Sequence, residues 1–292
     1  MKPVRSLLFV PGNKASMLDK AAGAGADALI LDLEDSVPQA EKQAARALVA
    51  SRIPELAARG QRVWVRINKG AHIYDLEDVL AAVQPGLEGI VVPKPLGTED
   101  TYMASAMVAE AEMRSGLAPG AVALMPLLET ARAMQFAFAI AEQPRVAAIV
   151  GSTAKNADVG RALGFVWTPE GRESEYLKSR VVMAARAAGK LPIGGVWQQV
   201  KDLEGLERAS RLDRQLGMAG ELALHPAQVP VINRVYTPDE EEIAYYQGMI
   251  DALDAAQAQG RASVMYEGEH IDIAHAKTAR EVIALARALP SD

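Results

Sequence analysis

Eight short apolar segments recur along this chain, and most are followed by a pattern typical of a helix. The segments are RSLLFVP (5–11), ALILDLED (28–35), RVWVRIN (62–68), GIVVPKP (89–95), ALMPLLET (123–130), VAAIVGST (146–153), KLPIGGVW (190–197) and ELALHP (221–226). The helical patterns include 15–24, 38–50, 75–83, 99–115, 130–142, 173–188 and 202–217. Continuous apolar segments favour strands buried on both faces of a parallel sheet. The repetition predicts an α/β fold, a (β/α)8 TIM barrel.

A doubly wound open sheet is the alternative, because it shares the alternation of strand and helix. That fold usually carries a glycine-rich phosphate loop after its first strand. Here the first strand is followed by PGNKAS, which lacks the required glycines. The barrel is therefore the favoured interpretation.

The sequence predicts two parts: a catalytic barrel over 1–235 and a C-terminal extension over 236–292. The extension contains Thr237, Pro238 and Glu240, which fit an N-cap, a first helical proline and a capping-box acid. A glycine stop at Gly260 precedes a short strand or loop and a final helix. We expect the extension to cap the barrel or to pack on a neighbouring subunit.

Composition excludes several classes of protein. The chain has 292 residues, a net charge of −6 and no cysteine, which removes disulfides, thiolate metal sites and a cysteine nucleophile. The four histidines, His72, His225, His270 and His275, lack zinc-motif spacing. No basic patch suggests nucleic acid, and no apolar segment is long enough to span a membrane. The first segment reads as a strand and not as a signal peptide, so we expect a cytoplasmic protein.

Polar side chains lie where the predicted strands end, and barrel enzymes place their chemistry there. These residues are Asp32, Glu34, Asp35, Arg66, Asn68, Lys94, Glu129, Thr130, Ser152, Thr153, Trp197 and His225. Any one of them can be a cap or a solvated rim group. Two cations facing several carboxylates nevertheless suit an anionic small molecule, with a divalent metal such as Mg²⁺. A metal and an arginine together would stabilise the enolate of an aldol-type cleavage.

Several longer stretches resemble one family. RSLLFVPGNKASMLDKAAGAGADALILDLEDSVPQAEKQAAR resembles the opening of the citrate lyase beta subunit and its relatives. These relatives include the malyl-CoA and citramalyl-CoA lyases and the HpcH/HpaI aldolases. The likeness continues through VRIN, VPKP, LLET, TPEGRESEYLKSRVVMAARAAGK, ALHPAQV and the tail EGEHIDIAHAKTAREVIALA, so it covers nearly the whole chain.

The resemblance implies a (β/α)8 barrel that forms homotrimers or hexamers. It also implies cleavage or formation of a C–C bond beside a 3-hydroxyacyl thioester, generally with Mg²⁺. Arg66 would hold the substrate carboxylate and thioester oxygen, with Lys94, Asp32, Glu34 and Ser152 also binding substrate. Glu129 would be a catalytic residue and metal ligand; its other interpretation is an ion pair with Arg66 or Lys94. Asp272 matches an acid that many relatives deliver from an adjacent subunit as general acid/base; its other interpretation is a helix N-cap.

The chain departs from the family pattern in one loop. Relatives show G-x-E-D-x-x-A-D-L-G where this sequence has GSTAKNADVG (151–160), so Ala154 takes the place of a metal-ligating acid. Asp158 matches the later acid, and either reaches the site as a second ligand or lies in the first turns of a helix. A strand-seven acid of the family falls on Gly194, and a lysine falls on Glu221. The implied Mg²⁺ site therefore lacks one expected carboxylate.

The sequence predicts an enzyme, a C–C lyase acting on a 3-hydroxy-dicarboxylic acyl-CoA thioester such as malyl-, citramalyl- or citryl-CoA. Two other enzyme functions remain open, a thioesterase and a 2-keto acid aldolase. A non-catalytic protein that binds acyl-CoA or acts as a partner subunit is the third interpretation, because Ala154 removes a metal ligand. The sequence does not choose between coenzyme A and an acyl-carrier protein.

Overall fold

Eight parallel strands form the central sheet of the computed structural model, which describes residues 1–289. They are β1 (Ser6–Pro11), β2 (Ala28–Asp32), β3 (Val63–Arg66), β4 (Leu87–Val92), β5 (Ala123–Pro126), β6 (Ala148–Gly151), β7 (Leu191–Val196) and β8 (Gly220–Ala223). All eight predicted strands are present, but most stop earlier than their apolar segments. The acids that follow Asp32 consequently lie in a loop and not on β2.

The sheet closes into a barrel. Its strand order is β5-β4-β3-β2-β1-β8-β7-β6, so the first and last strands pair and only β5 and β6 remain at the edges. Those edges meet through parallel bridges between Leu124 and Val146 and between Leu127 and Val150. Closure of the sheet confirms the (β/α)8 barrel and shows that the open-sheet alternative is wrong.

Apolar side chains fill the barrel interior. Trp64 and Met125 are fully buried there and pack with residues from the other strands, including Leu7, Ile30 and Val150. A barrel of eight strands is just wide enough for such side chains to fill it. The interior is therefore a packed core, and a ligand has room only at the ends of the strands.

Twelve α-helices are described along residues 1–289. They are α1 (Ala15–Ala21), α2 (Lys42–Ala58), α3 (Leu76–Ala82), α4 (Thr98–Arg114), α5 (Ala131–Gln135), α6 (Ala137–Ala141), α7 (Asp158–Leu163), α8 (Glu175–Ala187), α9 (Leu203–Leu216), α10 (Val229–Tyr236), α11 (Glu240–Ala258) and α12 (Ile273–Ala288). The helix predicted over 130–142 is divided at Phe136 into α5 and α6.

Helix α2 runs past the predicted end at residue 50 and contains Pro54. A proline inside a helix leaves the carbonyl four residues earlier without its usual donor. Here that carbonyl belongs to Ala50, and Gln84 Nε2 donates to it at 2.8 Å. A side chain beyond the helix thus replaces the missing backbone bond, which lowers the cost of continuing the helix to Ala58.

The chain divides into two compact units, Met1–Arg234 and Val235–Asp292. The second unit contains α11, an antiparallel hairpin of β9 (Val264–Tyr266) and β10 (Glu269–Ile271), and α12. Its core includes Leu253, Ile271 and Ala276. Helix α11 begins after Asp239, whose side chain accepts from Glu242 N at 2.8 Å, so the prediction of Thr237 as N-cap is wrong.

No helix among residues 1–289 is long and apolar enough to cross a membrane.

Candidate active site

A cavity of about 250 Å³ opens at the C-terminal end of the barrel strands. Asp32, Arg66, Glu129 and Ser152 line it together with apolar residues that include Phe9 and Leu127. Four residues predicted from strand ends thus share one cavity, hereafter the mouth cavity. Barrel enzymes bind their substrates at this end.

Asp32 fixes the position of Arg66. Arg66 Nε and Nη2 donate to the two carboxylate oxygens of Asp32 at 2.6 and 2.7 Å. The same carboxylate accepts from the backbone N–H groups of Glu34 and Ser36 at 2.9 and 3.1 Å. Phe9 lies against the guanidinium, 4.6 Å from ring centroid to Arg66 Cζ. The two hydrogen bonds to Asp32 and the contact with the Phe9 ring together restrict the orientation of the Arg66 guanidinium.

This pairing keeps both groups charged. Burial opposes ionisation of Asp32, but the hydrogen bonds and charge of Arg66 hold the pKa of the carboxyl below its usual value. Burial likewise opposes the charge of Arg66, yet Asp32 raises its pKa. A fixed, permanently charged guanidinium therefore faces the mouth cavity.

Lys94 directs its ammonium into a group of acids. Its backbone adopts a φ of 49°, an unusual left-handed conformation for a residue with a side chain. Lys94 Nζ lies 2.5 Å from Glu34 Oε1 and 3.0 Å from Asp35 Oδ2, and 3.6 Å from Asp158 Oδ2. Burial would lower the pKa of Lys94, but bonds from Glu34 and Asp35 raise it. Lys94 is therefore a fixed cation surrounded by three carboxylates.

Glu129 differs from the other acids of the mouth. Its Oε2 atom is buried and has no hydrogen-bond partner among the described residues. Burial raises the pKa of Glu129 to about 7; the nearby Arg66 opposes this rise. A carboxyl in this state can accept or release a proton near neutral pH.

The loop after β6 presents Ser152 to the mouth cavity, while Ala154 is buried and apolar. Asp158 lies in the first turn of α7, where its Oδ1 accepts from Arg161 and its Oδ2 faces Lys94. Within residues 1–289, no group of three or more histidine, aspartate or glutamate side chains is placed to hold a metal ion.

The other two departures from the family pattern lie away from the mouth cavity. Glu221 is buried on β8, where Ser210 Oγ donates to it at 2.5 Å. Lys178 and Asp213 form a buried ion pair of 2.6 Å beside it, and a Cβ on Gly194 would lie 3.0 Å from Asp213 Oδ2. Burial, with the nearby charge of Asp213, raises the pKa of Glu221 to about 8. Because Asp213 and Glu221 already occupy this layer, Gly194 has little space for a larger side chain.

Asp272 lies in the C-terminal unit and is the N-cap of α12. Its side chain accepts from Ala274 N at 2.9 Å and lies 2.8 Å from His275 Nδ1. The hydrogen bond from His275 lowers the pKa of Asp272, and both side chains are exposed. The N-cap interpretation is thus confirmed, whereas a catalytic role for Asp272 stays a prediction.

Two residues that support the site were not among the predicted ones. Phe9 packs against Arg66, and Lys42 Nζ donates to the backbone oxygens of Leu33 and Glu34, each at 2.7 Å. Phe9 belongs to an ordinary apolar strand and Lys42 to an ordinary helix start. Neither position carries a spacing signal that separates it from structural residues.

A family model described as HpcH/HpaI aldolase/citrate lyase matches residues 5–226. The chain belongs to the HpcH/HpaI aldolase/citrate lyase family. Within this family, a (3S)-malyl-CoA thioesterase of Cereibacter sphaeroides is 32% identical over 288 residues, covering 98% of this chain and 96% of the relative. The citrate lyase subunit beta of Leuconostoc mesenteroides subsp. cremoris is 31% identical over 284 residues, with 97% and 93% covered.

A solved structure of a related protein agrees with the assignment to the HpcH/HpaI aldolase/citrate lyase family. CitE from Mycobacterium tuberculosis, in complex with magnesium, acetoacetate and coenzyme A, is 27% identical to this chain. The two align with a TM-score of 0.74, and the alignment covers 98% of each chain.

Proposed function

We propose that this protein is a C–C lyase that cleaves a 3-hydroxy-dicarboxylic acyl-CoA thioester such as malyl-, citramalyl- or citryl-CoA. The observation that carries the proposal is the position of Arg66. Its guanidinium is locked by Asp32 beside a cavity that is also lined by Glu129, whose buried Oε2 atom has no hydrogen-bond partner among the described residues. A cation and a proton acceptor that share one small cavity suit a reaction that passes through an enolate.

The chemistry follows from these two groups. Glu129 accepts the proton of the substrate 3-hydroxyl, the C2–C3 bond breaks, and C3 becomes the carbonyl carbon of an oxo acid. The electron pair of the broken bond forms the enolate of the remaining acyl thioester. Arg66 stabilises the negative charge on the thioester oxygen, since its donors are already oriented before the reaction. Protonation of the enolate at C2 completes the cleavage.

We assign this step to Asp272, contributed by the C-terminal unit of an adjacent subunit. Asp272 takes up the proton that Glu129 has accepted and donates it to C2, so that both carboxylates end the cycle ionised. An exposed carboxylate held by a helix N-terminus and by His275 is suited to contact a second chain. The proposal entails a homo-oligomer, for which the family resemblance favours a trimer or a hexamer. Lys94, Asp32, Glu34 and Ser152 complete the substrate-binding surface in this proposal.

The names of the relatives support an acyl-CoA substrate. A relative 31% identical over 307 residues is an L-malyl-CoA/beta-methylmalyl-CoA lyase of Cereibacter sphaeroides. The related CitE structure contains coenzyme A. Both proteins handle coenzyme A or its thioesters, so we favour coenzyme A over an acyl-carrier protein as the carrier.

The related CitE structure also contains magnesium, which raises the question of whether these residues fit that ion. Mg²⁺ is held in proteins by one or two carboxylates, with water and substrate oxygens. Glu129 has a free oxygen, but Ala154 offers none and Asp158 is engaged by Lys94 and Arg161. This set does not fit a two-carboxylate magnesium site, so the cleavage proposed for this protein is carried out by its side chains.

Purified protein should convert malyl-, citramalyl- or citryl-CoA to an oxo acid and acetyl-CoA. The assay separates acyl-CoA species by chromatography and measures the oxo acid with a coupled dehydrogenase. If a correctly folded protein leaves all three thioesters intact, the lyase proposal is wrong. Binding of acetyl-CoA without turnover would then indicate the non-catalytic function.

Thioester hydrolysis is the second candidate function, favoured by the similarity to the (3S)-malyl-CoA thioesterase. Glu129 can take a proton from water as well as from a hydroxyl, because its Oε2 atom has no hydrogen-bond partner among residues 1–289. Hydrolysis releases free coenzyme A, which a thiol reagent detects, whereas cleavage leaves the thioester bond intact. A free oxo acid aldol as sole substrate would instead establish the aldolase function.

A further inference from the structure

The carboxylates at the C-terminal end of the barrel strands are already paired with cations of the same chain. Asp32 pairs with Arg66 at 2.6 Å, and Glu34 and Asp35 pair with Lys94 at 2.5 and 3.0 Å. Asp158 pairs with Arg161. Of the mouth acids among residues 1–289, only Glu129 retains a buried oxygen with no partner. One carboxylate is thus left where a divalent ion takes one or two, and substrate oxygens would have to supply most of its ligands.

Lys94 has the position of a built-in cation. Its ammonium contacts two acids, and a third acid lies 3.6 Å away. The left-handed backbone at Lys94 is maintained although such conformations are unfavourable for a residue with a side chain, and it directs the side chain into this group. A divalent ion placed beside Asp158 would be repelled by this ammonium. The charge that a metal would contribute is therefore already present on the protein.

The loop after β6 does not supply the second carboxylate oxygen that a magnesium ion would need. Ala154 is 5% exposed and contributes only a methyl group. The next residue, Lys155, extends over the ring of Trp167, with Nζ 5.6 Å from its centroid. The loop thus has a methyl group at residue 154 and a cation at residue 155, and neither of these side chains can hold a divalent ion.

We infer that this member of the family works without a divalent metal, with Lys94 and Arg66 as the fixed positive charges of the site. The inference rests on the proposed active site, but not on which thioester is cleaved. It separates this chain from the related CitE, whose structure contains magnesium. The inference depends on one carboxylate that this chain lacks, at Ala154, and on the pairing of its other acids with cations.

Titration of the metal-stripped wild-type protein with MgCl₂ in a calorimeter tests the inference directly. We expect no saturable binding stronger than millimolar, either alone or with acetyl-CoA present to supply substrate oxygens. Tight binding that Glu129→Gln abolishes would overturn the inference. Binding that persists unchanged in Glu129→Gln lies outside the mouth and is consistent with it. This readout requires no turnover, so it is independent of whether the lyase proposal holds.

Ala154→Asp tests the cause. A carboxylate at 154 has no cation assigned to it, so we expect Mg²⁺ binding roughly tenfold tighter or more. Asn156→Asp is the matched control, because it adds the same charge to the same loop at an exposed position and should leave affinity unchanged. Circular dichroism verifies the fold of each variant. If Ala154→Asp binds no more tightly than Asn156→Asp, residue 154 is not the reason for the missing metal.

Discussion

At the scale of single residues, the site depends on how side chains hold one another. Asp32 accepts four hydrogen bonds, two from Arg66 and two from backbone N–H groups, so a buried carboxylate is fully satisfied. Buried charges persist only when they are paired in this way. Glu129 is the exception, with a buried oxygen that lacks a partner. Exceptions of this kind are expected where a substrate completes the bonding.

Replacement of Arg66 by lysine should lower kcat/KM by roughly 100-fold or more, because an ammonium cannot form the two parallel bonds that orient the guanidinium. Arg62→Lys is the matched control. Arg62 forms the same paired contact with Glu88, at 2.7 and 2.8 Å, just before β3 begins. Steady-state kinetics of both variants decide the point: equal losses would show that Arg66 acts only in folding.

Strand-end positions predicted Arg66, Lys94 and Glu129 because parallel strands bring their C-terminal residues together. The pairing among them could not be predicted in the same way. The sequence does not reveal that Lys94 adopts a left-handed backbone, nor that Asp158 faces Lys94 and Arg161 and not the cavity. These outcomes depend on loop geometry, which has no periodic signal.

At the scale of elements, strands were easier to predict than helix limits. Buried strands show as apolar segments, whereas helix ends depend on caps and on contacts with other elements. Pro54 illustrates the difficulty, since α2 continues through it where Gln84, from a distant part of the chain, supplies the missing hydrogen bond. No local rule applied to residues 38–58 contains that information.

Glu221 should make the barrel less stable as pH rises. Its pKa is raised from 4.5 to about 8, so the folded state binds the proton more tightly than the unfolded state does. Stability is therefore fully present below about pH 4.5 and declines toward pH 8. The decline is at most roughly 5 kcal/mol, since each pH unit contributes about 1.4 kcal/mol.

Glu221→Gln should remove most of this decline, because glutamine imitates the protonated carboxyl. Urea unfolding at several pH values between 5 and 8 measures the slope. Glu110→Gln, at an exposed ion pair with Arg114, is the control and should follow the wild type. An unchanged slope in Glu221→Gln would show that the carboxyl is ionised throughout this range.

At the scale of the whole molecule, the barrel was predictable from the repetition of strand and helix. The assembly was not, because nothing in the periodicity of one chain reports the surface of another. A site shared between subunits is therefore a proposal that solution experiments must test. Asp272 belongs to the C-terminal unit, and Arg66 belongs to the barrel.

Mixing inactive Arg66→Ala with inactive Asp272→Ala protein should restore activity if each site takes Asp272 from a neighbour. Random exchange of subunits places both wild-type residues in roughly a quarter of the sites. Arg66→Ala mixed with the double variant is the control and should remain inactive. Absence of rescue, once labelled subunits are seen to exchange, would place the whole site within one chain.

The strands of the barrel are not joined equally strongly all the way round, and the joint between β5 and β6 differs from the others. Seven pairs of neighbouring strands are joined by named ladders, while this pair is joined through isolated bridges. Glu129 follows β5 and Ser152 follows β6, so these two residues lie on opposite sides of this joint. Local fluctuations concentrate where backbone bonds are fewest. The mouth cavity is therefore lined by residues on both sides of the joint that lacks a ladder, and we expect the barrel to deform more easily there than between the paired strands.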